Sequence, residues 1–153
     1  MTNDVSDVVG GRVREVRKRC DWTTAELAEQ CASKGMPQLT ASVLNDIETG
    51  RRAVNGSRRR TVSVDELLAL ALVLDVAPVH LLVPIEGDGQ EPYQITPEVQ
   101  ASRANVRAWI RGLRLPRGLP LVGDQRRFRS EMPEEEFVAA WLDEHGNTRE
   151  HRS

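Results

Sequence analysis

The chain has 153 residues, enough for one domain or a small domain with an extension. Hydrophobic residues make up 39% and aromatics only 4%, which suits a modest Val, Leu and Ala core built from short helices better than a β-sandwich. A net charge of −2 excludes a protein that coats nucleic acid with its whole surface, but leaves room for a local basic face.

No apolar run approaches the about 18 residues that read as a membrane span, and residues 1–7 are polar and acidic. Neither a signal peptide nor a membrane segment is therefore expected, and the expected location is the cytoplasm. Cys20 and Cys31 are too few for a disulfide framework and fit no zinc-ligand spacing. Both fall on apolar helix stripes and are predicted to be small buried thiols. No metal or cofactor is expected. Arginine far outnumbers lysine, which occurs only at 18 and 34, a composition that points to a GC-rich bacterial genome.

In chain order, the first predicted helix covers 8–20, with Val9, Val13, Val16 and Cys20 on one face and Arg12, Arg14, Arg17, Lys18 and Arg19 on the others. Thr23 with Glu26 forms a capping box for a second helix, whose buried stripe is Leu27, Ala28 and Cys31 and which fades near Lys34-Gly35. Residues 35–38 have turn composition. Leu39-Thr40 opens a third helix, running over 40–49, with Thr40 as N-cap, Leu44 and Ile47 facing inward, and Gly50 as C-cap. An Arg-rich polar loop over 51–61 follows.

Ser63 with Glu66 caps a fourth helix over 64–74, and a short fifth one is expected over 77–82 with Pro78 in its first turn. Residues 86–92 have linker composition. Thr96-Pro97-Glu98 reads as the start of a helix of about 17 residues carrying Val99, Val106, Trp109, Ile110 and Leu113. Residues 115–124 read as loop, and a last amphipathic helix over 133–144 carries Phe137, Val138, Trp141 and Leu142.

The close pair formed by the second and third helices carries the functional argument. A helix that lies in the major groove needs a brace behind it, an apolar inner face and a short, polar, uncrowded outer face. The third helix has these, with Ala41, Ser42, Asn45 and Asp46 outside. Between 51 and 60 there are five arginines (51, 52, 58, 59 and 60) and no acid. Arg58, Arg59 and Arg60 suggest a basic arm along the DNA backbone.

The run Thr-Thr-Ala-Glu-Leu-Ala over 23–28, followed by Leu-Thr-Ala-Ser-Val-Leu-Asn-Asp-Ile-Glu-Thr-Gly-Arg-Arg over 39–52, resembles the helix-turn-helix of Cro/C1-type (XRE family) repressors. Residues 64–76 resemble the fourth helix of the same domain, and the likeness spans about 8–84. It implies an all-α, lambda-repressor-like five-helix DNA-binding domain over 1–84. A linker over 85–95 and a helical C-terminal region over 96–153 would follow. It further implies that Thr24 meets a phosphate, that Thr40, Ala41, Ser42 and Asn45 face the groove with Val43 at the edge, and that Arg51 and Arg52 hold phosphates. Glu48 is structural in such domains. The link over 33–38 and the loop over 52–61 are both longer than is usual in the family.

The expected function is sequence-specific binding of double-stranded DNA by a homodimer on a palindromic operator, in transcriptional regulation as a repressor. Trp109, Ile110, Leu113, Phe137 and Trp141 read either as ordinary core or as a dimer or partner interface. An antitoxin or adaptor, with a protein partner on the C-terminal helices, is the alternative function. Catalysis is not expected. His80, His145 and His151 are isolated in sequence, and no nucleophile elbow, phosphate loop or metal-ligand pair occurs.

Overall fold

The computed structural model describes residues 4–58, 60–113 and 125–135, and its first helices begin where the sequence offers a side-chain oxygen to first-turn amides. α1 (Val5–Arg19) starts behind Asp4, whose carboxylate accepts from the Ser6 N–H. Residues read as a polar lead-in therefore form its first turn. α2 (Thr24–Ser33) and α4 (Val64–Val73) each carry a complete capping box, Thr23 with Glu26 and Ser63 with Glu66. α3 (Ala41–Thr49) is capped by the Thr40 hydroxyl, which accepts from Val43 N–H. α5 (Pro78–Leu82) opens on a proline, which lacks the donor a first-turn position leaves unpaired.

α1 and α4 end alike. In each the residue after the C-cap is a left-handed aspartate, Asp21 (φ 57°) or Asp75 (φ 54°). The next amide reaches back to close the last turn, Trp22 N–H to Arg17 O at 3.2 Å and Val76 N–H to Ala71 O at 3.0 Å. Trp22 and Val76 then pack against the core.

That core is built from Val9, Val13 and Val16 of α1, Leu27 and Cys31 of α2, Leu44 and Ile47 of α3, Leu70 and Ala71 of α4 with Leu74 at its C-cap, and Leu81 of α5. Leu39 joins them, fully buried, from the segment between α2 and α3. It does not open α3. It is a core side chain carried by the connection, and its burial contributes about 1.5–3 kcal/mol. Burial pushes the Cys31 thiol pKa up. Cys20 is exposed, contrary to expectation, because α1 stops at Arg19 and the fourth position of its apolar stripe falls at the C-cap.

α1 and α3 approach each other closely at Gly10. A Cβ placed on Gly10 would stand 2.1 Å from the Ile47 carbonyl oxygen, so only a residue without a side chain lets the two backbones meet.

The C-terminal part departs most from expectation. The segment read as a linker and the first turns read as helix instead form β1 (Pro92–Thr96) and β2 (Val99–Ser102), an antiparallel pair with Tyr93 opposite Ala101 and Gln94 opposite Gln100. The fold is thus mostly helical with one small sheet, not all-α. Pro-Tyr-Gln-Ile-Thr over 92–96 alternates, and Tyr93 is buried on one face. Pro97 serves the hairpin turn, not a first helical turn. The helix start falls to Ser102, whose hydroxyl accepts from Asn105 N–H to open α6 (Arg103–Ile110).

Val83, Tyr93 and Val106 form a second buried cluster against Val5 and Val8 of α1. Further ties come from Arg103 N–H to Glu91 O (3.0 Å) and Ala104 N–H to Gly89 O (2.9 Å). α7 (Gln125–Ser130) lies where no element was expected. The predicted loop over 115–124 and most of the predicted helix over 133–144, including Phe137 and Trp141, lie outside the described residues, as do His145 and His151. Among the described residues no helix is long and apolar enough to cross a membrane.

Two measurements test this packing. Gly10→Ala is expected to destabilise by about 2–3 kcal/mol in urea denaturation, because the obstacle is a backbone oxygen that cannot turn aside. Tyr93, the chain's single tyrosine, donates its hydroxyl to Leu82 O at 2.6 Å. Burial, helped by the charge of Asp4, pushes its pKa up to about 12. The folded value exceeds the unfolded one of about 10, so this contribution to stability is complete below that pH and is lost as pH climbs through 12. Tyrosinate absorbance in an alkaline titration is expected near 12 in the folded protein and near the ordinary value in denaturant.

Candidate nucleic-acid interface

α3 packs on both α1 and α2. Its inner side chains, Leu44 and Ile47, are wholly buried, while Thr40, Ser42, Asn45 and Thr49 are exposed and Ala41, Val43 and Asp46 are half-buried. Ser42 and Asn45, three apart, stand on one outward face. The Thr49 hydroxyl donates to Asn45 O of the same helix at 2.8 Å. Thr24, the first residue of α2, is half-buried. Beside it, the Glu26 carboxylate accepts from Thr23 N–H (2.7 Å) and Thr23 Oγ1 (2.9 Å), and these bonds hold its pKa below the usual carboxylate range.

Two arginine clamps fix α3 against α1. In the first, Arg17 of α1 grips Glu48 in a two-pronged pair, Nε to Oε1 at 2.6 Å and Nη2 to Oε2 at 2.7 Å, while Nη1 donates to Trp22 O at 2.6 Å. The Glu48 side chain is 3% exposed, which removes it from the outer face. Its hydrogen bonds raise the Arg17 pKa, overriding the opposite effect of burial. Such planar pairing supplies orientation as well as energy.

In the second clamp, Arg58 reaches under the C-terminal end of α3. Nη2 donates to Ile47 O at 2.5 Å, Nη1 to Asp7 Oδ1 of α1 at 2.7 Å, and Nε to Arg60 O at 2.6 Å. Ile47 O is one of the carbonyls that a helix end leaves without an intrahelical partner, and a cation there also suits the helix dipole. Gly50 makes room. It is left-handed (φ 60°), and a Cβ on it would lie 2.8 Å from Asp7 Oδ1 and 2.9 Å from Arg58 Nη1.

This geometry redistributes the Arg-rich loop. Arg52 and Arg58 are bridge partners at the base of a small hairpin, closed by Ala53 N–H to Ser57 O at 2.8 Å and Gly56 N–H to Ala53 O at 2.9 Å. The expected role of Arg58 as a phosphate contact is corrected: its side chain is 2% exposed and pins the fold. Arg52 pairs with Asp7, and Arg60 with Glu66. Arg51 is the most open of the described arginines here, its side chain 64% exposed and 3.6 Å from Asp46. Arg59 lies outside the described residues. The linear stretch contains no acid, but α1 and α4 bring Asp7 and Glu66 to it.

Gly10, Asp7 and Arg17 were missed as site-positioning residues. The one local signal was Gly10-Gly11 in the middle of a helical pattern, since glycine weakens a helix interior unless something must come close. The other arginine of α1 that turns inward is Arg12, 3% exposed, whose Nε donates to His80 O at 3.0 Å.

Of the expected interface residues, Trp109 is half-buried and Ile110 and Leu113 are exposed, at the end of α6 and just beyond it. Among the described residues no group of His, Cys, Asp or Glu is placed to hold a metal. Comparison with family models, with curated proteins and with solved structures found no match.

The two roles of arginine separate in a stability measurement. Arg58→Ala strips partners from Ile47 O and Asp7, and is expected to cost about 3 kcal/mol of unfolding free energy. Arg51→Ala is expected to change stability by less than about 0.5 kcal/mol. Equal effects would contradict the division.

Proposed function

We propose that the chain is a transcriptional regulator of the Cro/C1-type (XRE) kind, a cytoplasmic protein that binds a specific double-stranded operator as a homodimer and carries out no catalysis. In this reading α1 to α5 form the lambda-repressor-like five-helix domain, and α3 enters the major groove. The observation that carries it is the state of α3: held by α1, α2 and two arginine clamps, with Ser42 and Asn45 exposed on its outer face. A short polar side chain on a rigid helix is what base-edge readout requires.

Within this reading Asn45 and Ser42 meet base edges, Ala41 and Val43 offer methyl groups to thymine, and Thr24, Thr40, Arg51 and Arg52 hold the backbone. Repression follows from the occupation of a promoter-proximal site. The second reading, an antitoxin or adaptor, is favoured by exposed Ile110 and Leu113.

A mobility-shift titration with DNA from upstream of the chain's own gene, at two salt concentrations, separates them. Asn45→Ala is expected to lose about 1–3 kcal/mol on the operator and to relax one base preference. Arg51→Ala is expected to weaken every sequence alike and to lower the salt slope by about 1. Undiminished binding in both variants, or no shift with the wild type, sinks the DNA-binding reading.

A further inference from the structure

Of the arginines proposed to hold the DNA backbone, Arg51 and Arg52 are neighbours with different partners. Arg51 has its Nε 3.6 Å from Asp46 Oδ1, and both side chains are open, 64% and 34% exposed. Arg52 donates from Nη2 to Asp7 Oδ2, and these side chains are 40% and 16% exposed. Nη2 is the nitrogen that the two-pronged faces of a guanidinium have in common. Arg17 uses one of those faces, Nε with Nη2, on Glu48. A phosphate that takes Arg52 by either face therefore shares Nη2 with a carboxylate of its own sign.

Asp7 is the partner that stays. Its Oδ1 accepts from Arg58 Nη1 at 2.7 Å, and Arg58, 2% exposed, is committed to Ile47 O and Arg60 O as well. Gly50 lies against the same oxygen, so close that a Cβ there would stand 2.8 Å away. Loss of Arg52 would leave Asp7 still paired and Arg52 within reach of water. A pair with one partner this exposed contributes little to stability, so the fold does not require that Arg52 be held. What the pair alters is charge. One carboxylate stands against two guanidiniums, and it offsets much of the positive charge that Arg52 presents to solvent.

We infer that Asp7 is a positioning residue that withholds Arg52 from DNA. It holds the guanidinium by the nitrogen a phosphate needs and offsets its charge. Arg51 then makes a full phosphate contact beyond the end of α3, and Arg52 makes a weakened one. The consequence is a limit on sequence-independent affinity, since backbone contacts hold any DNA alike. The inference rests on the DNA-binding reading and gives Asp7, a residue of α1, a part in it.

The test is a binding titration of the full chain on operator and on random-sequence duplex, with Asp7→Asn, Arg52→Ala and the double variant, each checked by thermal melt. Asp7→Asn keeps an amide oxygen for Arg58 but removes the charge and the second acceptor. It is expected to bind both duplexes more tightly than the wild type. That advantage is expected to widen about threefold as salt falls from about 200 to 50 mM, the signature of one more neutralised phosphate. A residue with only a structural role would weaken binding instead. In the double variant the gain is expected to vanish. A gain that survives without Arg52, or binding by Asp7→Asn no tighter than the wild type, overturns the inference alone. Should Asp7→Asn not fold, the single variants decide: Arg52→Ala is expected to lose less affinity than Arg51→Ala, and an equal or larger loss overturns the inference. A wild type that shifts no DNA removes the regulator reading and this inference together.

Discussion

Everything in the first half of the molecule depends on how closely α1 and α3 approach at Gly10 and the Ile47 carbonyl. Van der Waals contact between two backbones leaves no slack for side chains to fill, so the crossing is set by the chain itself. Arg17–Glu48 and Arg58–Asp7 then act on either side of that contact, against sliding and against rotation of α3. Buried ion pairs are weak evidence of stability in themselves, because desolvation offsets most of the Coulomb attraction. Their value here is directional. Each guanidinium bonds a backbone carbonyl as well as a carboxylate, and so ties a helix to a neighbouring turn.

Local chemistry was easy to see in the sequence. Thr23 with Glu26, Ser63 with Glu66, Thr40 and Gly50 set the limits of α2, α3 and α4 through bonds that span only a few residues, and period-3.6 spacing exposed their buried faces. What escaped was decided at long range. Leu39 belongs to the core because the connection bends inward there, and Asp7 meets Arg52 and Arg58 only once α1 lies beneath α3. Thr96-Pro97-Glu98 has the composition of a helix start, but the burial of Tyr93 against Val83 and Val106 makes it a hairpin turn. A cap motif identifies where a helix can begin, and tertiary burial decides whether it does.

The same distinction governs the candidate site. Its inner face and its terminal glycine were legible, because they are features of periodicity and of backbone sterics. The basic arm was not, since a linear run of arginines carries no information about which of them a fold turns inward. Arg58 and Arg51 are separated by a single short hairpin, yet one is a strut and the other is open to solvent. Counting charges along a chain overestimates the positive surface wherever neighbouring helices supply acids.

The bond from Tyr93 to the Leu82 carbonyl carries a consequence for the limits of the folding unit. Val83 is wholly buried, and Val5 and Val8 at the beginning of the chain lean on the same small cluster as Tyr93 and Val106. The extremity of α1 is therefore roofed by residues some ninety positions downstream. A fragment cut after the fifth helix would keep the core of α1 to α5, yet uncover an apolar seam at its own first turn.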